Sequence, residues 1–132
     1  MKIAADTNIL VRAIVADDAV QSRLAGAMLA NAELVVISIH VLCAVAWVLS
    51  QSYKIKPADI RRTLARLCDA ENVSVDRPLL AAGLAMLAAG GDFADGVIAH
   101  DGRMLGAEVF VSFDARAVKL LAAQGVKALV PG

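Results

Sequence analysis

Short apolar runs alternate along the chain with longer segments in which apolar residues recur at helical spacing. The apolar runs predict strands at 2–5, 34–37, 72–75, 108–112 and 126–130. The other segments predict helices at 9–15, 21–30, 40–53, 58–68, 79–89, 92–105 and 115–123. Strands that alternate with helices are typical of a parallel sheet with helices on both faces. The predicted fold class is therefore α/β, with a central parallel β-sheet flanked by α-helices.

Length and composition indicate one domain with a dense core. A chain of 132 residues has room for one core, and 59% of its residues are hydrophobic, against about 45–50% in soluble domains. No linker or repeat divides the chain, so residues 1–132 are predicted to form a single domain. Thirteen basic and thirteen acidic residues cancel, which excludes intrinsic disorder and a nucleic-acid-binding surface that relies on bulk positive charge.

The sequence also predicts where the protein resides. The apolar stretch at 34–49 is shorter than the roughly 20 residues that span a bilayer, and polar residues interrupt it. A charge at Asp6 precedes any apolar region of a signal peptide. Cys43 and Cys68 lie in apolar helical patterns, as expected of reduced, buried thiols. We therefore expect a cytoplasmic protein that does not enter the membrane.

Three aspartates lie near strand ends or helix starts. Asp6 follows the first strand, Asp114 follows the strand that ends at Ser112, and Asp95 lies in the first turn of a helix. Sites in open parallel sheets form at the carboxyl ends of the strands, so Asp6 and Asp114 are expected on one edge, which Asp95 joins by helix packing. Clustered carboxylates repel unless a cation neutralises them, and Mg²⁺ and Mn²⁺ prefer oxygen ligands. The pattern indicates metal-assisted phosphodiester hydrolysis.

Helix capping is the simpler structural explanation for each acid. Asp6, Asp92 and Asp114 each lie at or just before the start of a predicted helix, where a carboxylate accepts hydrogen bonds from free backbone N–H groups. Asp95 lies in the first turn of its helix, where the helix dipole favours negative charge. Spacing by itself leaves both interpretations open.

Four short blocks carry a family resemblance. They are DTNILVR at 6–12, AVAWVL at 44–49, DFAD at 92–95 and SFD at 112–114. In this order and at these separations they resemble the PIN-domain ribonucleases, and more narrowly the VapC-type toxin of the VapBC type II toxin–antitoxin systems. The resemblance covers nearly the whole chain and implies a PIN-like α/β/α fold.

The resemblance implies an endoribonuclease toxin that depends on Mg²⁺ or Mn²⁺ and arrests growth by cleaving single-stranded or loop RNA, such as tRNA, rRNA or mRNA. It assigns catalysis and metal binding to Asp6, Asp95 and Asp114. The residues that would line or support the pocket are Thr7, Asn8, Asp92 and Ser112. It also implies a homodimer and a cognate VapB-type antitoxin, through which alone the protein would reach operator DNA.

Ala44 departs from the family pattern. The family usually carries a fourth acid here, a glutamate three residues before Trp-Val-Leu. No neighbour replaces it, because His40, one helical turn earlier, is expected to be a helix-start residue with a hydrogen-bonded ring. Either the gene encodes a weakened or inactive enzyme, or a Glu→Ala change has been introduced. The alternative function is a non-catalytic PIN module that binds an antitoxin or RNA.

Several other features have both a structural and a functional interpretation. Arg12 could contact a phosphate or form an ion pair with Asp17 or Glu33. The basic stretch at 54–66 could meet RNA or a partner, although a solvated helix face explains it as well. Trp47 and Tyr53 are expected to pack in the core or at an interface. The surplus of aliphatic residues predicts an exposed apolar surface that partners cover.

Overall fold

A computed structural model describes residues 1–132, which form two compact units. The first unit, Met1–Asp76, contains β1 (Lys2–Ala4), α1 (Thr7–Ile14), α2 (Ala19–Asn31), β2 (Leu34–Val36), α3 (Ile39–Gln51), α4 (Pro57–Cys68) and β3 (Val73–Ser74). The second unit, Arg77–Gly132, contains α5 (Arg77–Ala88), α6 (Phe93–Met104), β4 (Phe110–Val111), α7 (Ala115–Ala123) and β5 (Ala128–Leu129). Every predicted helix and strand is present, which confirms the α/β fold class. The single domain stays a prediction.

The first unit is built on a three-stranded parallel sheet in the order β1-β2-β3. The central strand β2 pairs Val35 with Ile3 on one side and with Val73 on the other. Asn72 leads into β3, and its side-chain amide donates to the carbonyl oxygens of Leu29 and Ala32, at 2.9 and 3.0 Å. This amide therefore ties the start of β3 to the end of α2.

Polar contacts join α1, α2 and the segment after α3. The guanidinium of Arg12 donates to Asp17 Oδ1 at 2.8 Å and to Gln21 Oε1 at 2.9 Å. The hydroxyl of Tyr53 donates to the other oxygen of Asp17 at 2.8 Å, and this hydrogen bond is the main reason why the pKa of Asp17 is lowered. The interpretation of Arg12 as an ion-pair partner is confirmed, with Asp17 as the partner.

The second unit has its own sheet, in which β4 pairs with β5 in parallel. The sequence predicted one central sheet, whereas hydrogen bonding divides the strands into a set of three and a set of two. The backbone N–H groups of Phe110 and Ser112 donate to the carbonyl oxygens of Lys127 and Leu129. The strands before Asp6 and Asp114 therefore belong to different sheets, and the expected shared sheet edge is not formed by strand pairing.

Burial confirms part of the predicted core and corrects one residue. Cys68 is buried and Cys43 is half-buried. Trp47 is 59% exposed, so the expectation that it packs in the core is wrong, and the interface expectation stays a prediction. The side chain lies on α3 outside the positions that are fully buried, which include Leu42 and Leu49. None of the helices has the length and apolar character that a membrane span requires.

Candidate nuclease site

Three aspartates of the second unit form an acidic cluster, which consists of Asp92, Asp95 and Asp114. Asp92 immediately precedes α6, and Asp95 is the third residue of that helix. Asp114 precedes α7 and follows β4 by three residues. Asp92 and Asp114 are exposed, and Asp95 is half-buried. Two helix N-termini and one strand end therefore position these carboxylates.

Asp95 lies in an environment that disfavours the charged form of its side chain. Its pKa is raised, first because burial disfavours the charged form and then because the negative charges of Asp92 and Asp114 repel it. No lysine or arginine forms an ion pair with these three carboxylates. The side chain of Asp92 makes no capping hydrogen bond to α6, so capping does not account for it. The cluster therefore contains negative charge that the protein itself does not neutralise.

Asp114 acts as a helix cap, as one interpretation of the sequence predicted. Its Oδ1 accepts from the backbone N–H groups of Arg116 and Ala117, at 3.0 and 3.1 Å. Ser112 supports this turn, because its hydroxyl oxygen accepts from the Asp114 N–H at 3.0 Å. Capping engages one carboxylate oxygen and fixes the direction of the other, so it is compatible with a role in binding a cation.

Asp6, in the first unit, is likewise a helix cap and a candidate metal ligand. It lies exposed between β1 and α1, and its Oδ1 accepts from the backbone N–H of Ile9 at 3.0 Å. The capping interpretation of Asp6 is therefore confirmed. Thr7 and Asn8 are the first residues of α1, so the DTN block is a strand end followed by a helix start.

The α3 helix carries the position of the missing acid. Ser38 caps this helix by accepting from the His40 N–H at 3.2 Å, and its hydroxyl lies 2.8 Å from His40 Nδ1. His40 is therefore the helix-start residue with a hydrogen-bonded ring that the sequence predicted. Ala44 follows one helical turn later and is half-buried. The structure places no acidic residue on α3.

A family model, the PIN domain, matches residues 3–122, which is most of the chain. The chain belongs to the PIN domain family. This membership confirms the resemblance at the level of the family and indicates a nuclease-type function. Among curated proteins, none matched the chain.

PIN domains typically use divalent metal ions. The chemistry of the donors in the acidic cluster fits a hard cation, because carboxylate oxygens are the ligands that Mg²⁺ and Mn²⁺ prefer and the charge on Asp95 is uncompensated. No three His, Cys, Asp or Glu side chains are grouped closely enough in this structure to hold a metal ion. The carboxylates of this PIN domain are therefore of a suitable type for Mg²⁺ or Mn²⁺, but the side chains do not form a complete coordination shell.

Two glycines that the sequence analysis did not single out hold the PIN-domain helix α6 in place. A Cβ at Gly83 would lie 2.6 Å from Cζ of Phe93, whose ring is completely buried between α5 and its own helix. A Cβ at Gly96 would lie 2.7 Å from Cγ of Met86 and 3.0 Å from the carbonyl carbon of Ala82. Close approach of α5 and α6 thus positions the Asp95 backbone. The sequence feature that could have revealed this close contact is the glycine inside each of the two predicted helices.

Proposed function

We propose that this protein is a Mg²⁺-dependent endoribonuclease toxin of a type II toxin–antitoxin system. Its substrate would be single-stranded or loop RNA, and Ala44 would weaken or abolish cleavage in this copy. The observation that carries the proposal is the match to the PIN domain over residues 3–122. The DTN, Trp-Val-Leu, DFAD and SFD blocks of the sequence support the narrower toxin assignment.

The proposed metal ligands are Asp6, Asp95 and Asp114, with Asp92 in a supporting position. Asp6 is included on the family resemblance alone. The choice of Asp95 and Asp114 is also supported by the charge around Asp95, since a bound cation would offset both the burial and the repulsion from Asp92 and Asp114 that raise its pKa. When bound, Mg²⁺ or Mn²⁺ would neutralise the carboxylates and polarise the phosphodiester.

Neighbouring residues hold these proposed ligands in position. The buried ring of Phe93 and the close contact at Gly96 fix the first turn of α6, on which Asp95 lies. Ser112 and the capping bonds of α7 fix Asp114. Preorganised side chains of this kind are what catalysis by positioning requires.

Ala44 would lower activity because it supplies no fourth carboxylate. Alanine is a strong helix former, and α3 is intact with alanine at this position. It also removes a negative charge that would otherwise add to the site. The proposed consequence is a folded PIN domain with weaker metal binding and slower hydrolysis.

The decisive experiment compares Ala44→Glu with Ala44→Gln. Both side chains have similar size, but only glutamate supplies a negative charge. We expect Ala44→Glu to raise Mg²⁺-dependent cleavage of RNA by about 100-fold or more, which corresponds to roughly 2.7 kcal/mol of barrier, and to be toxic when expressed without an antitoxin. Equal cleavage by the two variants would refute the assignment of a missing carboxylate.

A non-catalytic PIN module that binds an antitoxin or RNA is the second candidate function. Two observations favour it, namely the alanine at position 44 and the lack of three closely grouped metal-binding side chains. A Mn²⁺ titration followed by thermal unfolding separates the two candidates. The nuclease should gain stability by mass action, and Asp95→Asn should reduce that gain. A module without a metal site should show no response.

The proposal includes two partners, a VapB-type antitoxin and a second copy of the chain. The exposed indole of Trp47 supports an apolar contact surface on α3. Light scattering at micromolar concentration tests the homodimer. A mass close to the 13.7 kDa of one chain would contradict it.

A further inference from the structure

The second unit contains a cavity of about 520 Å³ that none of the aspartates of the acidic cluster lines. One part of its wall comes from α6, which contributes Ala99, His100 and Arg103 among other residues. Phe110 of β4 and residues at the end of α7 also line it. The volume lies within the range of about 300–1,000 Å³ that is usual for ligand pockets.

The wall of this cavity combines planar rings with hydrogen-bonding groups. The half-buried rings of Phe110 and His100 both contribute to it. Gln124 also lines it, and its side-chain amide donates only a long bond, 3.5 Å, to Met86 Sδ. The amide oxygen can therefore accept from a ligand N–H group. A flat ring with polar edges matches these groups.

The charge around the cavity is close to balanced. Arg103 and Lys127 contribute two positive charges, and Glu108 contributes one negative charge. The helices α6 and α7 both end at the cavity, and each C-terminus carries roughly half a negative charge. The sum is near zero, which does not favour a free, strongly anionic ligand. It favours a neutral ring inside, with the two cations at the rim for an attached phosphate.

We propose that this cavity binds one unpaired nucleobase of a nucleoside phosphate. The inference deepens the proposed function, on which it rests for the source of the base: a nucleotide of the RNA substrate near the bond to be cleaved. Asp95 and Arg103 are eight residues apart on α6, about 12 Å along the helix axis. One strand can therefore reach both places.

Nuclear magnetic resonance titration tests the proposal on the full chain in EDTA, where no metal supports cleavage. The probes are the four nucleoside 5′-monophosphates, inorganic phosphate, and an unstructured ribonucleotide hexamer. We expect saturable shifts of the backbone amides of Gly102, Phe110 and Gly125. Inorganic phosphate should not reproduce them, because it has no ring.

Two variants probe the cavity in different ways. Ala99→Leu fills it, and Phe110→Leu keeps an apolar side chain but removes the aromatic face. Each should weaken binding by about tenfold, an effect of the size that base stacking contributes. Ala27→Leu, at an exposed position of α2, is the matched control and should bind like the parent protein. Amide spectra of each variant verify that it is folded.

Each outcome decides the proposal. Saturable shifts with the mononucleotides, or with the hexamer alone, support it when both cavity variants lose them, and the second result assigns the base to RNA. The proposal is overturned if no probe shifts these amides, if phosphate gives the same shifts, or if folded cavity variants bind as before. If the nucleotide titration is negative but the Mn²⁺ titration is positive, the proposed base site is excluded and the proposed nuclease function is retained.

Discussion

The close approach of α5 and α6 makes Gly96→Ala the sharpest test of how the site is positioned. Gly96 directly follows Asp95, and its Cα faces the backbone of α5. The added methyl would clash most closely with the Ala82 carbonyl oxygen, and it would lie 2.7 Å from Met86 Cγ and 3.0 Å from the Ala82 carbonyl carbon, whereas ordinary Cβ contacts begin at 3.4 Å. A methionine side chain can rotate away, but a helix backbone cannot.

The expected magnitude follows from two opposing contributions. Alanine stabilises a helix interior by about 1 kcal/mol relative to glycine. Overpacking typically costs about 1–3 kcal/mol, and an obstacle of backbone atoms places this site near the upper value. The net loss is about 2 kcal/mol, which should lower Tm by roughly 6–8 °C for a domain of this size.

Gly26→Ala is the matched control, because a Cβ at that position of α2 meets nothing within 4 Å. It should raise stability by about 1 kcal/mol and Tm by roughly 3 °C. Thermal unfolding of both variants in EDTA gives the comparison. If Gly96→Ala melts at or above the temperature of the parent protein, the α5–α6 contact is not the rigid constraint that positions Asp95.

Three further predictions concern individual carboxylates. Asp114→Ala should cost about 1 kcal/mol by removing the cap of α7, whereas Asp114→Asn should preserve most of it; equal urea midpoints for the two would contradict the capping role. Asp95→Asn should stabilise the metal-free protein at neutral pH, because it removes a half-buried charge that neighbouring aspartates repel; a lower Tm in EDTA would disagree. Tyr53→Phe should destabilise the protein at neutral pH, because its hydroxyl lowers the pKa of Asp17 below 3.8. That contribution to stability is present above pH 3.8 and is lost as the pH falls through the folded-state pKa of Asp17. If the urea midpoints of Tyr53→Phe and the parent protein differ by the same amount at all pH values, this explanation is refuted.

Local signals in the sequence were sufficient for the helices and strands and for two of the three predicted aspartate caps. Apolar periodicity predicted each helix, and Asp6 and Asp114 cap their helices as predicted, whereas the side chain of Asp92 does not. These features depend on residues within a few positions of one another, so the printed sequence contains the necessary information. The hydrogen bond of the His40 ring could also be predicted from local sequence, because its partner, Ser38, is only two residues away.

Tertiary structure decided what depends on residues distant along the chain. Trp47 is exposed, although it lies in a helical stripe of apolar residues that is typical of a buried face. Periodicity indicates that these residues share a face of the helix, but not what covers that face. The pKa of Asp95 is raised mainly by burial, and one of the two carboxylates that add to the effect, Asp114, lies nineteen residues further on. The sequence by itself determined where each helix lies, to within two residues at its start, and which residues carry carboxylates. Only folding decided the environment of each carboxylate, because burial and electrostatic repulsion depend on distances through space.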